Sequence, residues 1–334
     1  MLMFIQLLRA FAVLGVFVYH GIVYSDIFNH TKVLQKFTEI NLLGISAVSI
    51  FFIISGYIMA FLVNEKNADV FFLRKRLIRI YPSYFIACIL AIIVQYVVFR
   101  VINIHANINL LKSLSLIPFK DDTINYYLSV EWSLIYEVAF YVLCSIFLSV
   151  SNKFIYLFVI WFIVLSLCFF IVPNFGIYTT LRNSIYTVYF ASYNFLFCFG
   201  AFSYYLTTKI KVNININPII LVLPYVCIVF VINAYSPLSY IMNVYLIGFI
   251  SIMLFISLTK NKYQINKRNV LIKIGDYSYG IYLSHAVLLN AYYRTNNDGI
   301  GTTICFLIVI FILSCFFGKL EFLFHNRIKG FLGC

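Results

Sequence analysis

Long apolar runs separated by short polar gaps fill the chain. Ten runs stand out, at about 4–24, 42–63, 80–99, 126–150, 154–172, 185–206, 218–233, 240–258, 277–293 and 300–318. An α-helix needs about 20 predominantly apolar residues to cross a hydrocarbon core of about 30 Å, and each run meets that length, the seventh only marginally. The pattern predicts an all-α integral membrane protein, a bundle of ten transmembrane helices forming one domain over residues 1–334. Between the runs lie a polar segment from Asp26 to Glu39, a basic connection from Asn64 to Arg79, a long polar stretch from Arg100 to Asn125 and a short link from Lys209 to Asn217. No internal repeat, low-complexity tract or soluble domain interrupts the series.

Composition agrees with a lipid environment. Of 334 residues, 63% are hydrophobic and only 10% charged, with a mean hydropathy of +0.97. A soluble domain could not hide that much apolar surface. The formal charge of +13 would suggest nucleic acid in a soluble protein. Here the basic residues sit in the gaps and read as topology determinants, with no nucleic-acid partner implied. Sixteen Lys and Arg fall in the loops after even-numbered runs and the tail, against seven in the opposite loops, which places both termini in the cytoplasm. Seven of the eight cysteines lie within apolar segments and Cys334 is the last residue. Without a CxxC pair they read as core-filling residues, with no disulfide framework and no metal site. Nothing basic precedes Arg9 and no A-x-A site follows, so the N-terminus is a poor secretory signal.

The polar groups inside the runs are few. Arg9 and His20 are eleven residues apart, about three helical turns, so they share a helix face at a separation of about 16 Å. An ionisable residue inside a bilayer is costly and marks function by default; the plainer reading is an Arg anchoring one end and a His capping the other. Ser55 and Gly56 lie in the second run, Glu131 and Glu137 at the start of the fourth, Ser284 and His285 in the ninth. Glu131 and Glu137 point about 120° apart and do not share a face. An Arg, a Glu and two His buried together suit acid–base chemistry or a proton relay.

Five motifs run in order through the chain: Arg9, ten residues, His20; Phe51-Phe52, two residues, Ser55-Gly56, with Gly44 upstream; RKRLIRIYPSYF from Arg74 to Phe85; Trp132-Ser133-Leu134, then Glu137 and Phe140-Tyr141; and Ser278-Tyr279, then Tyr282-Leu283 and His285. Together they resemble the acyltransferase 3 family, integral-membrane transferases that depend on acyl-CoA. Ser284 stands where the family often has Trp, Ala286 and Val287 follow His285 where an aromatic residue and Pro are frequent, and Glu321 lacks the Pro of a Glu-x-Pro element. Without a long C-terminal extension the chain resembles the stand-alone type.

The resemblance implies transfer of acetyl or another short acyl group from cytoplasmic acyl-CoA, as co-substrate, to a hydroxyl of a bacterial surface polysaccharide or its lipid-linked precursor. The setting is the inner (cytoplasmic) membrane, and the partners are acyl-CoA, a glycan or glycolipid acceptor and membrane lipid. Arg76 and Arg79, one turn apart on one face, would hold the phosphates of the donor; positive-inside anchoring is the alternative. His20 would serve as general base or transient acyl carrier. Arg9 would hold the donor or polarise its carbonyl, and Glu137 would orient His20 or pair with Arg9. Trp132 and His285 would contact the acceptor, or else pack in an aromatic belt and a hydrogen-bonded core. A second reading is a polytopic transporter or flippase using Arg9, His20 and Glu137 as gate or proton relay. A third is a non-catalytic membrane receptor.

Overall fold

The computed structural model describes residues 3–29, 42–66, 72–100, 108–118, 127–150, 154–171, 185–235, 240–263, 265–295 and 300–331. They form twelve α-helices: α1 (Met3–Asn29), α2 (Leu42–Lys66), α3 (Phe72–Phe99), α4 (Ile108–Ser115), α5 (Glu131–Val150), α6 (Phe154–Ile171), α7 (Ile185–Tyr189), α8 (Tyr193–Lys209), α9 (Pro218–Tyr235), α10 (Tyr240–Thr259), α11 (Val270–Thr295) and α12 (Ile300–Phe331). The only bridge of extended backbone among the described residues joins Ile214 to Asn261. Six helices, α1, α2, α3, α5, α6 and α12, are long and apolar enough to cross a membrane. The apolar windows of α9 and α10 are shorter, and α11 carries Lys273, Asp276, His285, Asn290 and Arg294 among its apolar residues. The bundle is that of a membrane protein; a count of ten spans is a wider claim than six such helices carry.

Apolar side chains are exposed along single faces. Ile89, Ile93 and Val97 of α3, Ile160, Ile163 and Leu167 of α6, and Ile308, Ile312 and Phe316 of α12 all lie open. In water these stripes would be untenable; against lipid tails they are the ordinary outer surface.

Three boundaries differ from the reading of the sequence. Helix α3 begins at Phe72, so Arg74, Lys75, Arg76 and Arg79 ride on its first two turns and not in a loop. It also continues through Pro82, which removes the N–H that would bond Ile78 O; nearby, the Tyr279 hydroxyl donates to Ile80 O at 3.1 Å. The sixth run is broken into α7 and α8 by a turn at 190–192. Asn194 explains the break: its side-chain amide donates to Val188 O at 2.7 Å and Tyr189 O at 2.8 Å, satisfying carbonyls that a helix end leaves open. The polar stretch after α3 contains helix α4, pinned to α3 by the Tyr84 hydroxyl on Ser113 O at 3.0 Å and by the Tyr81 hydroxyl on Ser115 O. Residues 30–41, which hold most of the first polar gap, lie outside the described residues. So does Cys334; the seven other cysteines are free thiols.

The inner helices are α1, α2, α8 and α11, with α1 packed chiefly on α11 and α2 on α8. Small residues let backbones meet where lipid supplies no hydrophobic drive between helices. Gly56 faces the Phe197 carbonyl and Gly200 the Ile53 carbonyl; a Cβ on either would sit about 2 Å from that oxygen. Gly200→Val is therefore expected to prevent α2 and α8 from closing. A fluorescence-detected gel filtration of detergent extracts should show loss of the monodisperse peak, while Gly330→Val, at a site with open space around it, leaves it intact.

Candidate active site

Three guanidinium groups and one carboxylate meet in a cavity between α1, α2, α3, α5 and α11. Arg9, Arg76, Arg79, Ser55, Glu137 and Tyr279 line it. Each side chain is delivered by its helix. Arg76 and Arg79 are one turn apart on α3 and both open into the cavity. Arg9 comes from α1 and donates through Nε to Ser278 Oγ on α11 at 3.0 Å. Glu137 comes from α5; its Oε1 accepts from the Tyr141 hydroxyl at 2.5 Å and from Ser55 Oγ at 3.4 Å.

The three arginines are not equivalent. Arg79 donates to Glu321 Oε1 of α12 at 2.6 Å, an oxygen that also accepts from Ser83 Oγ at 2.8 Å, and lies 4.8 Å over the Tyr279 ring. Arg76 touches only aromatic faces among the described residues, 5.6 Å from the Phe72 and Tyr141 rings. A guanidinium whose fork is unoccupied can take a phosphate in a bidentate manner, so Arg76 is the available cation and Arg79 the anchored one. The Lys66 side chain falls outside the description.

His20 does not line this cavity. Its Nδ1 lies 2.8 Å from His285 Nε2, and His285 Nδ1 lies 3.1 Å from Ile281 O. The carbonyl can only accept, so His285 carries its proton on Nδ1. In the uncharged pair its Nε2 then accepts, His20 donates from Nδ1, and His20 Nε2 is left with its lone pair. The pair is a tautomer lock that leaves His20 a base at Nε2. The cavity and the His pair are separated by Tyr282, which lines the cavity, bonds Ser133 Oγ at 2.6 Å and sets its ring 5.7 Å from that of His285.

The structure thus brings Arg9, Arg76, Arg79 and Glu137 to one cavity and pairs His20 with His285 beyond Tyr282, outside that cavity's lining. Glu137 bonds neither His20 nor Arg9 among the described residues; the partner of His20 is His285. With no exposed surface and both ring nitrogens engaged, His285 is placed to orient His20. Trp132 is half-buried among Phe52, Tyr136 and Tyr193 and does not line the cavity. Glu131 is fully buried and accepts from the Leu128 N–H at 2.6 Å, tying down the approach to α5. Ser278, Tyr282 and Glu321 went unassigned in the sequence. The signal of Ser278 and Tyr282 was being hydroxylated residues in an otherwise apolar run, opposite an Arg or a His that needs a partner; Glu321 lay in the tail after the tenth run, an acidic residue among basic ones. Among the described residues no group of three His, Cys, Asp or Glu side chains could hold a metal.

Comparison with known proteins points the same way. An acyltransferase from Streptomyces mycarofaciens, MdmB, is 36% identical over 84 residues, which is 25% of this chain and 21% of that protein; the match spans about a fifth of that relative's length. No solved structure is significantly similar. The family described as an acyltransferase domain matches residues 3–319. Because that match takes in nearly the whole chain, and with it every residue of the cavity and the His pair, the protein belongs to the acyltransferase 3 family.

Proposed function

We propose that the protein is a membrane O-acyltransferase that moves acetyl, or another short acyl group, from cytoplasmic acyl-CoA to a hydroxyl of a bacterial surface polysaccharide or its lipid-linked precursor, with ten spans and both termini in the cytoplasm of the cell that bears it. One observation carries this reading: Tyr282 links an arginine-lined cavity to a histidine pair whose hydrogen bonds leave one imidazole nitrogen with its lone pair. Arg76, with Arg79 beside it, receives the phosphates at the mouth. The pantetheine arm passes Arg9 and brings the thioester toward Tyr282 and His20, about 16 Å beyond Arg9 along α1. His20 Nε2 takes the proton of the acceptor hydroxyl as its oxygen attacks the thioester carbon. The C–O bond forms, the C–S bond breaks, and the imidazolium returns the proton to the departing CoA sulfur. Arg9, about 16 Å short of His20 along α1 and held by Ser278, grips the donor arm on its way to the thioester site.

Two measurements follow. Mass spectrometry of envelope glycans from strains with and without the gene should show an acyl group that disappears with the gene; unchanged glycans contradict the acceptor class. Arg76→Ala is expected to raise the KM for acetyl-CoA about 10-fold or more, the worth of a hydrogen bond to a charged group, with a smaller change in kcat. Arg79→Ala should cost less donor affinity and more stability, since Arg79 is held by Glu321. A fall in kcat alone for Arg76→Ala would remove phosphate binding from its role. Lys66→Ala serves as the control and should change neither.

A further inference from the structure

A second cavity opens farther along α11, past the histidine pair. Gln95 of α3, Tyr127 and Ser129 ahead of α5, and Ala286, Asn290 and Arg294 of α11 line it, with an empty volume of about 1060 Å³. It shares no lining residue with the arginine-rich cavity. On α11 the sequence of positions is Tyr282 in the first cavity, His285 bonded to His20, then Ala286 and Asn290 in the second. From Tyr282 to Asn290 is about 12 Å of helix rise, so His285, with His20 on it, lies between the two chambers along α11.

Three features of the second chamber point to a ligand. Asn290 Oδ1 is buried without a hydrogen-bond partner, and a buried acceptor left open calls for a donor. Ser129 has φ 64°, a left-handed conformation that a non-glycine residue adopts at some cost and that gathers at ligand clamps. Arg294 is exposed, with its guanidinium 5.8 Å over the Phe99 ring. Amides, hydroxyls, aromatic faces and one cation, set among the aliphatic Val94, Leu128 and Val287 and with no carboxylate among the described residues, form the lining. That set matches a glycosyl unit, which offers hydroxyl donors on its edges and C–H faces to rings. A simple alkyl alcohol would leave most of these groups unanswered.

We propose that this second cavity is the acceptor site, that it takes a glycosyl unit, and that Asn290 Oδ1 accepts from one of its hydroxyls; the proposal rests on the acyltransferase reading above. The donor then enters one chamber, the hydroxyl the other, and they meet at His20. The test uses the full-length protein in lipid nanodiscs with radiolabelled acetyl-CoA and octyl glycosides of glucose, galactose, N-acetylglucosamine and glucuronic acid. The wild type should acetylate at least one glycoside. Asn290→Leu should raise the KM for that glycoside tenfold or more while the KM for acetyl-CoA stays within twofold. Gln95→Ala, on the facing wall, reads the same parameter if Asn290→Leu does not insert. An unchanged glycoside KM in the inserted variants overturns the assignment, as does acetyl-CoA binding with no glycoside acetylated. If acetyl-CoA itself is not bound, the acyltransferase reading falls and this proposal with it.

Discussion

His20→Gln is expected to lower acyl transfer by ~10²–10⁴-fold, the usual cost of losing a general base, with protein level and acetyl-CoA binding preserved. The expectation comes from the hydrogen-bond chain Ile281 O, His285, His20. Gln keeps much of the size and its side-chain NH₂ can still donate to His285 Nε2, so the local packing survives. It has no nitrogen that takes a proton. His20→Ala should be as inactive. His285→Gln should be milder: the orientation of His20 loosens, but its basic nitrogen remains. A kinetic comparison of these variants at saturating acetyl-CoA separates the roles. An inserted His20→Gln protein that transfers at near wild-type rate would make His20 a packing residue.

Glu321→Ala is expected to be the most destabilising single change near the site, at about 3 kcal/mol. Removing one partner of a buried ion pair leaves an uncompensated charge, which costs about 3–5 kcal/mol; the Arg79 side chain keeps 24% of its surface, which puts the effect at the lower end. The same carboxylate oxygen also holds Ser83, so two polar ties of α12 to α3 are lost. Thermal unfolding of the purified protein reads the effect. The double variant Arg79→Met with Glu321→Met, which buries no charge, should recover most of the stability. If Glu321→Ala melts with the wild type, the pair contributes nothing to holding α12 in place.

The helices were legible because runs of about 20 apolar residues have few other options. Arg9 was legible because an Arg inside an apolar run is costly, and Arg76 and Arg79 because they stand one turn apart within a motif of the family. Their partners were not. His20 meets His285 across 265 positions of chain and Arg79 meets Glu321 across 242; nothing local links such pairs. In soluble helices an apolar stripe shows which face turns inward. In α2, α6 and α8 nearly every face is apolar, so the facing of Gly56 toward Gly200 had to come from packing. The break before α8 was hidden for a related reason: Asn194 satisfies the open carbonyls with a single polar residue inside an apolar run. Glu137 drew attention for its depth in α5, and its bonds to Tyr141 and Ser55 are short-range or cross-helix contacts that no spacing rule distinguishes from a bond to His20.

In the proposed reaction the arginine-lined cavity receives an acyl-CoA whose thioester is used at His20. Equilibrium binding of radiolabelled acetyl-CoA to the protein in nanodiscs tests it most directly. Saturable binding is expected of the wild type, weakened about tenfold or more by Arg76→Ala and unchanged by His20→Gln. Absence of binding by the wild type, or binding indifferent to Arg76 and Arg79 together, would contradict it.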